Sequence, residues 1–158
     1  MKRQISLIFT VVLSIMYSCS SPMKAFDSNA NGWKPDDFIP KDGILLIEKV
    51  TRPQNQQIKI KEFMEKNYPY KYEFVDIKDL NENSEKYKNK DVYRFALVNS
   101  YTTQNIHQSD ISLRPLNVTA FDFNFIDRRK NKEYPKSGIA SSWASMTFKK
   151  IIQTVLKN

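Results

Sequence analysis

Apolar residues recur along this chain at two distinct periods. Gly43–Val50 is a short, almost continuous apolar run, which predicts a buried central strand. Ile60, Phe63 and Met64 then fall at helical spacing between Gln56 and Asn67, with lysines and glutamates opposite and Pro69 as the stop. Tyr70, Tyr72 and Phe74 alternate with Lys71 and Glu73, the period-2 signature of a strand with one wet face. The charged stretch Asp76–Lys90 predicts a short surface helix around Leu80–Tyr87. Alternation resumes over Asp91–Tyr101, placing Tyr93, Phe95 and Leu97 on one face. Thr102–Arg114 is polar and predicts a loop. Leu116–Asp127 is the clearest strand, with Phe121, Phe123 and Phe125 facing one way and Asp122 and Asn124 the other. After a basic turn, Glu133–Ile139 is expected to pair back as an edge strand, since Pro135 has no N–H to donate to a ladder. A last helix, capped by Ser141 or Ser142, presents Ala144, Phe148, Ile151, Ile152 and Val155 as one apolar face.

This order predicts an α/β or α+β fold with a mixed sheet of four to five strands. A crossover through the first helix makes strands one and two parallel, and both long helices cover one face. The expected organisation is a signal peptide at 1–18, a lipidated flexible linker at 19–42 and a single α/β sandwich domain at 43–158. Trp33, Phe38 and Ile39 predict that the second half of the linker folds back onto the domain.

The signal expectation rests on Lys2 and Arg3, followed by an uncharged run from Ile5 to Tyr17. Thirteen helical residues rise about 20 Å, short of a hydrocarbon core of roughly 30 Å, so a secretory signal fits better than a span. The run Met16-Tyr17-Ser18-Cys19 resembles a bacterial lipobox, and Cys19 is the sole cysteine. That resemblance implies acylation of Cys19 and a cell-envelope location, lipid-anchored and facing the periplasm. An acylated Cys19 leaves no free thiol for catalysis.

Composition narrows the chemistry. One cysteine and one histidine exclude an intrachain disulfide and multi-cysteine or two-histidine metal sites, so no cofactor or metal is expected. The net charge of +8 raises the question of nucleic acid, but 19 lysines against 6 arginines, spread along the chain, lack the arginine fork used on phosphates and bases. Abundant Lys, Asn and Ile fit the composition of an A/T-rich genome, and the charge otherwise fits attraction to anionic membrane headgroups or an anionic envelope polymer, with an envelope protein as a further partner. The cluster Arg128, Arg129, Lys130 and Lys132 reads either as a solvated hairpin tip or as a docking patch for such a partner. His107 beside Ser109 and Asp110, and Asp122 on its strand, are the residues on which a hydrolase would have to be built, but no Gly-x-Ser-x-Gly elbow accompanies them.

Tyr93–Leu97, Val118–Asp127, the Lys130-Asn131-Lys132 turn and a helix near the C-terminus together resemble a group of small bacterial envelope lipoproteins with a TolB-amino-terminal-like periplasmic domain. The same domain type is similar to parts of the curli secretion lipoprotein and of lipoprotein activators of cell-wall synthases. The resemblance implies a noncatalytic binding or assembly module of the periplasm and carries over no active-site residue. The alternative is an envelope hydrolase with a site near His107 or Asp122.

Overall fold

The structure is a computed structural model that describes residues 32–81, 84–106 and 116–157. Five strands form one open sheet in the order β2-β1-β3-β4-β5. They are β1 (Leu45–Glu48), β2 (Tyr72–Val75), β3 (Phe95–Ile106), β4 (Leu116–Asp127) and β5 (Lys132–Lys136). Helix α1 (Gln54–Asn67) links β1 to β2, a short α2 (Ile77–Asn81) and a single 3-10 turn (Glu85–Tyr87) lead to β3, and α3 (Ala144–Lys157) follows β5. β1 is parallel to both β2 and β3, whereas β3–β4 and β4–β5 are antiparallel, so the expected mixed α+β sheet is what forms.

The period-2 alternation sorts side chains onto two faces. Leu45 and Ile47 of β1, Phe95 and Leu97 of β3, and Phe121, Phe123 and Phe125 of β4 join Ile60, Phe63 and Met64 of α1 and Phe148, Ile151, Ile152 and Val155 of α3 in the main core. Both long helices therefore cover the same face. The intervening residues Leu46, Val75 and Ala96 pack on the opposite face with Tyr87, Leu80, Tyr93 and Ile126.

Four local expectations are corrected. The helix expected over Leu80–Tyr87 is two pieces, α2 and the 3-10 turn. Tyr93 does not share a face with Phe95 and Leu97. It precedes the strand, its N–H bonds to Asn89 O at 3.0 Å, and its ring meets Tyr87 on the second face. The loop expected from Thr102 is strand as far as Ile106, held by an unbroken register with β4 that runs from Phe95↔Asp127 to Ile106↔Leu116. Neither Ser141 nor Ser142 caps α3 as expected: Ser141 Oγ accepts from Trp143 N–H ahead of the helix, while Gln56 Oε1 of α1 accepts the Ser145 N–H and its Oγ–H. A buried side chain on one helix thus satisfies an orphan donor of the other.

Residues 32–42 form a strap on the main core. Trp33 and Phe38 are buried, with Phe38 edge-on to Phe95 at 5.1 Å and Trp33 5.7 Å from Phe125. The packed domain thus starts ahead of Gly43, while Ile39, expected to fold back too, stays exposed at 46%. Gly43 ends the strap at a φ of +99°, where a Cβ would stand 2.8 Å from Val92 O. That spacing lets Ile44 N–H reach Val92 O at 2.9 Å.

Candidate functional site

The basic turn between β4 and β5 is built around Asp127, whose side chain is fully buried. Its carboxylate accepts from Arg94 Nε at 3.1 Å, Arg94 Nη2 at 2.6 Å, and the N–H groups of Arg129 and Lys130 at 3.0 and 3.1 Å. Burial pushes the Asp127 carboxyl up, but the Arg94 guanidinium and the turn N–H groups outweigh it and hold the carboxyl below its ordinary value. Asn131 closes the turn with a φ of 50°, a left-handed conformation that asparagine tolerates. The strap is tied to the same cluster, since Asp37 accepts from Lys130 Nζ at 2.9 Å and from Arg94 Nη2. Bonds from Lys130 and Arg94 lower the Asp37 carboxyl to about 2.

The proposed docking patch loses one member here. Arg128 is not on the surface: it is buried, and its guanidinium donates to Tyr93 O at 2.8 Å and Tyr87 O at 2.9 Å. Its backbone N–H donates to Arg94 O at 2.8 Å. It joins the turn to the second-face cluster, and burial lowers its pKa. Arg129, Lys130 and Lys132 remain exposed. Arg129 lies 3.5 Å from Asp91, Lys130 pairs with Asp37, and Lys132 Nζ sits 4.4 Å from the Tyr134 ring centre. Carboxylates thus offset two of the three exposed cations, and the turn is first a clasp between sheet and strap.

Asp122, on the face opposite the phenylalanine stripe of β4, is buried as well. It accepts from Ser137 Oγ–H, from Gly138 N–H at 3.0 Å and from its own neighbour's Phe123 N–H at 2.6 Å. The segment after β5 bends back to supply the first two donors. Asn124, beside it, donates to Glu133 at 2.9 Å. Asp122 and Asp127 are therefore engaged separately, in different hydrogen-bond sets. His107 and Cys19 lie outside the described residues. Among the described residues no group of three or more His, Cys, Asp or Glu stands where it would hold a metal ion, and no helix is long and apolar enough to cross a membrane.

Two features escaped the sequence reading. Glu48, at the carboxyl end of β1, reaches across to accept the Asn99 N–H at 2.8 Å, where β3 runs on past its short partner. Burial pushes its carboxyl up, partly opposed by that bond. At the amino-terminal end of α3, Trp143 and Met146 are 50% and 51% exposed, although most large apolar side chains are buried. Lys59 Nζ of α1 lies 5.8 Å from the Trp143 ring centre. The helical stripe identified the inward face of α3 but was not carried to the residues opposite.

No protein-family model matches the chain, and no curated protein matches it. Among solved structures it is similar to one named as a neuraminyllactose-binding hemagglutinin homolog from Helicobacter pylori, with 10% identity and a TM-score of 0.38 over 78% of this chain and 86% of that one. A likeness of that degree carries no inference about ligand.

Proposed function

We propose that this protein is a lipid-anchored envelope lipoprotein whose domain acts as a noncatalytic binding or assembly module in the periplasm. The observation that supports the noncatalytic part is the engagement of Asp122, one of the two residues, with His107, near which the hydrolase alternative would be built. It accepts three hydrogen bonds, two of which, from Ser137 and Gly138, close the segment after β5 onto β4, and a carboxylate whose oxygens are so engaged is poorly placed to act as a general base. The anchoring part is supported by the basic start, the short apolar run and the small residue before Cys19. Acyl chains at roughly 0.8 kcal/mol per buried methylene would hold the domain at a bilayer, in reach of envelope proteins or anionic polymers.

Two measurements test the proposal. Radioactive palmitate is expected to label the protein in cells and to be lost in Cys19→Ala; unchanged labelling in the variant overturns the anchor. Crosslinking in intact cells is expected to recover a specific envelope partner. Turnover of a cell-wall substrate by the purified protein, with no partner recovered, would replace the binding module with the hydrolase.

A further inference from the structure

The exposed corner formed by Trp143 and Met146 has the composition of a surface that works at a bilayer interface. The two side chains lie one turn apart at the start of α3, where Trp143 O accepts the Met146 N–H at 3.0 Å. Each is half exposed. The Lys59 ammonium lies beside the Trp143 ring. One turn further along α3 come Lys149 and Lys150, both exposed, with Lys149 Nζ 5.7 Å from the Phe63 ring centre. From Ser137 to Asn158 the chain has Lys149, Lys150 and Lys157 and neither Asp nor Glu. Glu62, one helical turn beyond Lys59 on α1, is the acidic residue nearest in sequence to this group.

We infer that this corner is a contact site for an anionic phospholipid surface, with Trp143 and Met146 entering the headgroup region and Lys59, Lys149 and Lys150 facing lipid phosphates. An indole suits that depth because its ring is apolar and its N–H stays near water. Met146 adds a flexible apolar chain that adapts to an irregular surface. Each lysine within a Debye length of an anionic surface adds to the attraction. The charge complementarity selects a net-anionic headgroup over a zwitterionic one. This contact goes beyond the Cys19 anchor and does not depend on it.

The two tryptophans give the readout, because Trp33 is buried at 1% while Trp143 is half exposed. The full chain is mixed with vesicles of phosphatidylcholine, alone or with phosphatidylglycerol, carrying a bromine-labelled acyl chain, and the floated fraction is examined by fluorescence. The expected result is a blue shift and loss of Trp143 emission on phosphatidylglycerol vesicles only. Trp143→Phe should abolish both, and Lys59→Gln with Lys150→Gln should return the signal to that on neutral vesicles.

Flotation on neutral vesicles reports the N-terminal attachment separately. A floated chain with unchanged emission on both vesicle types overturns the contact and leaves the anchor. Absence of flotation on either type overturns both. Equal quenching on both vesicle types, or quenching that survives Trp143→Phe, also overturns the contact. So does an emission change with soluble polyglutamate and none with vesicles, which would make the corner a site for an acidic protein segment.

Discussion

Replacing Asp127 separates the two tasks of the clasp. In Asp127→Ala, Arg94, whose side chain is only 18% exposed, keeps Asp37 as its carboxylate partner, and the N–H groups of Arg129 and Lys130 lose their acceptor. Breaking a buried charge pair by removing one member costs about 3–5 kcal/mol. The remaining Asp37 partner and the partial exposure of Arg94 move this to the lower end, about 3 kcal/mol including the lost turn acceptor. Asp127→Asn keeps an acceptor for the turn and loses only the charge, so it should cost about 2 kcal/mol. With a urea slope of about 1.5 kcal/mol/M, the Ala variant should denature about 2 M earlier and the slope should not change. The Asp127 carboxyl is held below its unfolded value, so its stabilisation is complete above an unfolded pKa of about 3.9 and is lost as pH falls through the lower folded value. The gap between wild type and Asp127→Asn should therefore be widest near neutrality and close in acid. A midpoint shift under about 0.5 M for Asp127→Ala, or a larger loss in the Asn variant than in the Ala variant, would refute the reasoning.

Other perturbations follow from single contacts. Gly43→Ala forces a Cβ against Val92 O at a strongly positive φ and should destabilise the fold by about 1–3 kcal/mol in a urea melt; a neutral result would mean that the turn ahead of β1 relaxes freely. Gln56→Ala leaves the Ser145 N–H and hydroxyl without their buried acceptor, at about 1–3 kcal/mol, and Gln56→Glu should not restore wild-type stability because it introduces a charge into a buried site; denaturation midpoints of both variants check this. For the strap, Asp37 is held at about 2, so its contribution is present above about pH 4 and disappears as pH falls toward 2. Wild-type Trp33 should become more accessible to acrylamide across that window, whereas Asp37→Asn should show the higher accessibility already at neutral pH; identical quenching curves would remove Asp37 from the strap's attachment.

The sheet was legible because burial left period-2 marks that nothing else produces. Phe121, Phe123 and Phe125 could serve only one face, and the helical spacing of Ile60, Phe63 and Met64 could serve only a crossover packed on that face. The outer half of β3 left no such mark. Thr102–Ile106 reads as a loop because its strand state comes from the ladder with β4 and not from an apolar pattern. Arg128 was misread for a related reason. In sequence it is one cation among four, and only the carbonyls of Tyr87 and Tyr93, contributed by distant parts of the chain, give its guanidinium a buried place. Asp122 likewise gained its partners from Ser137 and Gly138, which no local rule brings back to β4. The clasp is thus written in long-range returns of the chain, whereas the layers are written in periodicity.

The strap also decides how mechanical tension enters the molecule. A pull applied ahead of Gly32 meets Trp33, Phe38 and the Asp37 ion pairs before it meets β1, and these sit against Phe95, Phe125 and Asp127 at one end of the sheet. Because Trp33 and Phe38 belong to the main core, such a load would reach the packing under the sheet before it reached the strand ladder.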